Sequence, residues 1–433
     1  MRRILLNLLL LGAVEFAPAQ ECWPLERCIA YALEHNTDVR QQRLEVEIRQ
    51  VELQQVQAGQ LSVLRAGIAQ EMNWGRSVDM QELVIIRNKL TSATGASLTA
   101  SLPVFEGFSQ HFSRLAAKKA VEAARYESGR QREELAVEIT RAYLQLLLAK
   151  QILSYRQESL TAIAGQRERT AGLVDAGSQP KTALSEMEAQ LASEKAALVE
   201  ASCQVRSATQ ALTRLMNLPP GEAFAASETF GSETPLAEPP VITEARLEDY
   251  LREDPGIQST EALLDQMRYS HAQAKAAFLP SLRMSASYGT YYSSASEEAF
   301  RTQLDENRNP SLSLRLEIPV FQAFQAGTRL RKSRLACEQA RLEVEKARIR
   351  VADEIRSAVI EAENSCQQFR SSEETLRAMR SLLEATEAKY NLGAASALDY
   401  ILARNKHSKA VSDYLQAKWQ YLFQLRMLER YLR

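Results

Sequence analysis

The chain has 433 residues, room for two or three domains at about 150 residues each, and its 53 Lys and Arg against 54 Asp and Glu leave a net charge of −1. So balanced a charge excludes a polyanion-binding protein as a class. Aromatics make up only 7% of the residues and there are five cysteines without a CxxC pair, which excludes a disulfide scaffold or structural zinc and favours long helices.

Residues 1–19 read as a secretory leader: Arg2 and Arg3, then the apolar run Ile4 to Ala13, then Ala17-Pro18-Ala19 as a small-x-small cleavage pattern,. The mature chain is expected to begin at Gln20, in an oxidising compartment. Gln20 and Glu21 precede Cys22 where a lipoprotein signal needs small residues, which argues against lipid attachment. Cys22 and Cys28 either pair across a tight loop or stay as two thiols; the sequence leaves both open. Cys203, Cys337 and Cys366 fall within helical patterns and read as core fillers,.

After an opening helix the period changes to two. Leu64, Ala66, Ile68, Gln70, Met72 and Trp74 share one face of a strand, and Val63, Arg65, Gly67, Ala69, Glu71 and Asn73 the other,. Ala96, Leu98, Ala100, Leu102 and Val104 alternate in the same way with Gly95, Ser97, Thr99 and Ser101. Then come 4-3 spaced, mostly apolar positions: Leu135, Ile139, Ala142, Leu146, Ala149, Leu153, Arg156, Leu160, Ile163, Arg167, Thr170 and Val174,. The return arm after Pro180 repeats them from Leu184 through Met187, Leu191, Glu194 and Leu198 to Leu215. This predicts a helical hairpin whose first arm, about 67 residues long, extends roughly 100 Å.

Residues 219–243 hold five prolines and two glycines and read as a linker,. Beyond it the plan repeats at an offset of 216 to 218: Leu61 to Arg65 over Leu279 to Arg283, Leu102-Pro-Val-Phe over Ile318-Pro-Val-Phe, and Gly177 over Gly393,. The second copy has strands with Leu282, Met284, Ala286 and Tyr288 on one face and then Leu312, Leu314, Leu316 and Ile318, followed by a seam from Ala352 to Tyr390 with one slipped step at Phe369, Ser372 and Leu376. The expected domains are therefore 20–218 and 244–433, each a helix, two strands and a helical hairpin.

Strands of about 10 to 12 residues suit a tilted bilayer crossing, and Trp74, Tyr288, Tyr291 and Tyr292 sit where interfacial aromatics are favoured. A soluble sheet packed on a helix has the same alternation. If the strands cross lipid, four cannot close a barrel, and the chain must share one: two copies give 8 strands, three give 12.

Four segments together carry a resemblance. They are Pro24-Leu-Glu-Arg-Cys-Ile-Ala-Tyr-Ala-Leu-Glu-His-Asn36, Leu279-Pro280 at the start of a strand, the paired Leu-Pro-Val-Phe and Ile-Pro-Val-Phe, and Tyr390-Asn-Leu-Gly-Ala-Ala-Ser-Ala-Leu-Asp-Tyr400. The chain resembles the channel-tunnel proteins of the TolC type, the outer membrane efflux protein family. The resemblance implies a mainly helical fold with a membrane β-barrel portion, a homotrimer with a 12-stranded barrel in the outer membrane of a Gram-negative cell, and a periplasmic α-helical barrel. It also implies partners: a periplasmic adaptor and an inner-membrane pump of the RND or ABC class, with outer-membrane lipid around the barrel.

The same resemblance places the adaptor contact at the helix-turn-helix tips, Val174, Asp175, Gly177 and Pro180 in one hairpin and Leu392, Gly393, Ala394 and Leu398 in the other. Family members ring the closed entrance with carboxylates six and nine residues after the second glycine. Here Asp399 fills the first place and Leu402 the second, and Asp175 is the other candidate for charge at the entrance. Ser62 stands where the second copy has the strand-opening Pro280.

No catalytic, cofactor or metal site is expected: His35, His111, His271 and His407 show no ligand spacing, and there is no GxSxG, P-loop or GxGxxG,. Arg329 to Arg334 reads as a solvated or interfacial helix face rather than a nucleic-acid or lipid patch,. The rival reading is a periplasmic coiled-coil adaptor or structural rod without a membrane barrel, for which a single hairpin flanked by lipoyl-like modules would be expected.

Overall fold

The computed structural model describes residues 22–78, 85–219, 224–227 and 238–432; the expected leader and most of the proline-rich linker lie outside them. Among the described residues the elements occur in this order: β1 (Cys22–Trp23), α1 (Leu25–His35), α2 (Thr37–Ala58), β2 (Val63–Val78), β3 (Ile85–Glu106), α3 (Ser109–Asp175), α4 (Lys181–Met216), β4 (Ala225–Ala226), α5 (Glu244–Glu253), α6 (Pro255–Ala276), β5 (Ser281–Ser293), α7 (Phe300–Glu306), β6 (Asn309–Glu317), α8 (Gln325–Asn391) and α9 (Ala397–Leu432). No helix among the described residues is long and apolar enough to cross a membrane.

The helices recur at a fixed offset. α3 and α8 are both 67 residues and α4 and α9 both 36, with starts and ends displaced by 216. α2 and α6 are both 22 residues, displaced by 218. Two consecutive left-handed residues precede each long helix, Gly107 and Phe108 before α3 and Ala323 and Phe324 before α8. Backbone contacts divide the described residues across these copies: one unit holds those from Cys22 to Arg43, between Ser128 and Asp254 and from Arg348 to Leu432, the other those between Leu44 and Glu127 and between Pro255 and Ala347.

In the first unit the seam residues Leu135, Ile139, Ala142 and Leu146 are buried with Cys28, Ala32, Leu212, Met216, Trp419 and Leu422. Long apolar side chains recurring every third and fourth residue give each helix one face to hide, and burying each large one contributes about 1.5 to 3 kcal/mol. β1 and β4 pair in parallel across the wall of this cluster. The buried Tyr143 hydroxyl reaches the carbonyl oxygens of Trp23 (3.0 Å) and Ser227 (2.8 Å), so the strands are tied to α3. Cys22 and Cys28 are free, and burial pushes the Cys28 thiol up to about 12. Cys366 is buried, but Cys203 is exposed and Cys337 half-buried, so only one of those three fills a core. At the slipped step Phe369 is stacked on Tyr421 (6.0 Å) and lies 5.6 Å from Tyr414. Aromatic bulk there fills the gap left where the 4-3 spacing lapses.

The second unit contains a four-stranded antiparallel sheet in the order β2-β3-β5-β6. Its strands of 16, 22, 13 and 9 residues depart from the even 10 to 12 expected. β2 and β3 run on together as a hairpin to Val78 and Ile85, past the apolar stretch that alternation marks. A register shift between Pro103 and Phe105 leaves Val104 as the extra residue of a bulge. Phe105, not Val104, therefore pairs with Leu282 and continues the apolar face,.

Candidate functional site

Strand register sorts the sheet into two chemically different faces. On one, Leu64, Ala100, Ala286 and Leu312 form a row across all four strands, flanked by Ala66, Leu98, Tyr288 and Pro310 on one side and by Leu102, Met284 and Leu314 on the other. The large side chains of this face stand out of the sheet uncovered: Ile68 is 82% exposed and Leu312 74%. The opposite face carries Arg65, Thr99, Ser287 and Ser311 in one row and Gly67, Ser97, Gly289 and Asn309 in the next. One face suits hydrocarbon, the other water. β2 and β6 each pair on one side only, and in lipid every unpaired edge N–H or C=O would cost several kcal/mol. In lipid, such a sheet would need further copies of the chain to pair its two edges,.

The four expected interfacial aromatics separate by register. Trp74, Tyr288 and Tyr292 share the apolar face, whereas Tyr291 pairs with Gly95 and Ala69 in a row of the polar face. Tyr292 rests edge-on against Phe300 of α7 at 4.9 Å. Gln303, fully buried in that helix, donates to the carbonyls of Ser293 (3.2 Å) and Glu298 (2.8 Å) and accepts from the Ser293 N–H (2.9 Å).

The hairpin tips share one backbone turn. Gly177 (φ +73°) donates to the carbonyl of Val174 (3.0 Å) and Ser178 to that of Leu173 (2.8 Å); Gly393 (φ +72°) donates to Tyr390 (3.0 Å) and Ala394 to Lys389 (2.8 Å). These bonds satisfy the last carbonyls of each long helix. No atom within 4 Å would meet a Cβ at either glycine, so the positive φ, not lack of space, favours glycine,.

Past the glycine the two tips differ. α4 begins behind Pro180 with no side-chain cap. α9 begins with a reciprocal capping box: the Ser396 hydroxyl accepts from the Asp399 N–H (3.1 Å), and Asp399 Oδ2 accepts from the Ser396 N–H (3.1 Å) and hydroxyl (2.6 Å),. The Ser396 hydroxyl, with its N–H, holds the Asp399 carboxyl below the usual carboxylate range. Asp175, Pro180, Ala394 and Gly393 are exposed and Val174 half-buried. Leu392 is 85% exposed, with Leu398 and Leu402 about half exposed.

Behind the tips a buried polar layer joins the two hairpins. Thr170 and Tyr390 hydroxyls lie 2.9 Å apart, and Tyr390 stacks on Tyr400 at 5.4 Å. Arg404 of α9 donates to the Ser159 carbonyl (2.8 Å) and hydroxyl (3.1 Å) on α3 and to the Tyr400 hydroxyl (3.3 Å). Arg156 donates to Ser408 (2.7 Å) and lies 3.6 Å from the buried Glu194 carboxylate, while Gln190 donates to Asn405 (3.0 Å). Burial, with Arg380 and Arg404 nearby, lowers the His407 pKa, so its imidazole is neutral at pH 7. Arg156 and Glu194 interrupt the apolar seam in the sequence and could have pointed to this layer; Arg404, on an arm with no evident seam, could not.

Among the described residues no group of three His, Cys, Asp or Glu side chains could hold a metal ion. The model of the outer membrane efflux protein family matches residues 28–218 and 247–432. The chain is similar to the outer membrane efflux protein BepC of Brucella suis, 23% identical over 317 residues that cover 73% of this chain and 66% of BepC. It is similar to the outer membrane protein TolC of Escherichia coli, 24% identical over 342 residues, 77% of this chain and 68% of TolC. The chain thus spans about two thirds of the length of these relatives. In structure it is similar to the channel protein CusC, with a TM-score of 0.81 at 18% identity over 94% of this chain and 91% of CusC. The chain belongs to the outer membrane efflux protein family and sits in the outer membrane, with its helices on the periplasmic side.

Proposed function

We propose that three copies of this chain form a passive exit duct through which cargo crosses the periplasm and outer membrane, driven by an inner-membrane pump of the RND or ABC class and joined to it by a periplasmic adaptor. Each chain supplies two repeats, 20–218 and 244–433, and each repeat two strands and one helical hairpin. The observation that carries this reading is the sheet with one apolar face, one small polar face and two unpaired edges: three such sheets close a 12-stranded barrel wide enough to keep a watery bore. The adaptor contact lies at the tips, where Val174, Asp175, Gly177 and Pro180 stand at one turn and Leu392, Gly393, Ala394 and Leu398 at the other. Asp399 stays charged at the entrance, tied to Ser396, and Leu402 puts an apolar side chain one turn further along α9.

The test is the mass of the protein extracted from isolated outer membranes in mild detergent, by light scattering with detergent subtracted. Three protomers are expected. A soluble periplasmic species of one or two protomers would overturn the duct and favour a coiled-coil adaptor or rod.

A further inference from the structure

The polar face of the sheet carries an uneven distribution of charge. Starting from the end where the strands meet the helices, its first row holds Glu106, Ser281 and Glu317. The second holds Arg283 and Arg315, and two rows further on Arg65 stands with Thr99, Ser287 and Ser311. Arg283 is neutralised by Glu106 at 2.9 Å. Arg315 has Glu317 two residues along the same strand, about 7 Å away, which offsets part of its charge. Glu71, the acidic residue further along β2 on this face, is six residues from Arg65, roughly 20 Å at about 3.3 Å per residue. That is about two screening lengths at 0.1 M salt. The rows on either side of Arg65 offer only Val63, Ser101, Ser285 and Ser313, or Gly67, Ser97, Gly289 and Asn309. An exposed guanidinium therefore rises from a carpet of small uncharged side chains.

We propose that Arg65, reinforced by Arg315, is the charge filter of the barrel and favours cargo bearing carboxylate, phosphate or other anionic groups. The inference rests on the duct reading, in which this face lines the bore. Threefold repetition turns one arginine into a ring of three in a confined aqueous channel with low-dielectric walls, where field lines are focused and local anion concentration rises. Rings of Arg or Lys are the usual means by which a pore selects anions. Guanidinium keeps its proton at any physiological pH, so the filter is permanent.

Purified trimers in planar bilayers under a KCl gradient near 0.1 M test this through the reversal potential. Arg65→Gln should lower the chloride to potassium permeability ratio at least about twofold, and adding Arg315→Gln should lower it further. Arg65→Lys should keep the wild-type ratio, and the differences should fade near 1 M salt, where the screening length is about 3 Å. An unchanged ratio in Arg65→Gln overturns the filter and leaves the duct standing. Wild-type trimers that carry no current at all overturn the duct, and the filter with it.

Discussion

The two hairpin tips use the same glycine turn, at φ +73° and +72° with the same pair of backbone bonds, yet they start their return helices differently. The first leaves its turn through Pro180, whose fixed φ suits the start of a helix and whose carbonyl accepts from the Ala183 N–H (3.0 Å), but which has no side chain to cap the remaining N–H groups,. The second leaves through Ser396 and Asp399, which satisfy those groups reciprocally, and it presents Leu392 almost fully to solvent. Backbone geometry is thus common to the copies, while side-chain chemistry has diverged at the same place. The second tip is the more specialised one.

Proline at each glycine in turn should have the largest effect on the tips. Proline fixes φ near −65° and removes the N–H that bonds Val174 or Tyr390, a local cost of about 3 kcal/mol or more. Gly393→Pro should abolish export while leaving trimers intact, as judged by transport in whole cells and by trimer mobility. Normal export in Gly393→Pro together with its loss in Gly177→Pro would place the working surface on the first tip.

Next in size is Arg404, the buried cation that ties α9 of the second copy to α3 of the first. Arg404→Ala should destabilise the hairpins by about 2 kcal/mol, because the Ser159 and Tyr400 oxygens lose a charged donor. Urea denaturation followed by helical circular dichroism measures the effect. An unchanged midpoint would mean that the cost of burying the guanidinium cancels its bonds.

Loss of the Ser396 hydroxyl should affect the second tip alone. Ser396→Ala should cost about 1 kcal/mol at pH 7, read as roughly fivefold faster amide exchange in the first turn of α9 with no change at α4. The hydrogen bonds depress the Asp399 pKa, so their contribution is complete above the ordinary carboxylate value of 3.8 and is lost as pH falls through the lowered folded value,. The gap between wild type and variant should therefore close on acidification below that range. A gap that widens would mean that protonated Asp399 holds the turn better than the carboxylate does.

Periodic features were legible because burial imposes its period on the sequence. The 4-3 seams have this origin, and the seam positions of α3, α4 and α8 are buried or half-buried as the spacing requires; the strands alternate because their two faces differ in chemistry, and the glycine turns recur because both need a positive φ,. The β1 and β4 pairing was not legible: two-residue strands carry no period, and their partners lie about 200 residues apart. The far ends of β2 and β3 were equally hidden, because hydrogen bonding continues there after the alternation has stopped. The bulge at Val104 was masked by two adjacent apolar residues, either of which could have continued the face. Ser396-x-x-Asp399 has the spacing of a capping box and could have been read as one, rather than as entrance charge alone.

The matched lengths of α3 and α8, and of α4 and α9, make reach a shared property of the two repeats. A heptad added to one arm would throw its hairpin out of step with its twin and carry one tip about 10 Å past the other. To lengthen or shorten both hairpins and keep their tips level, the same number of turns must be inserted or removed at four places at once. In the proposed duct, reach toward the inner membrane is thus recorded four times in one chain, and each copy of the measurement constrains the other three.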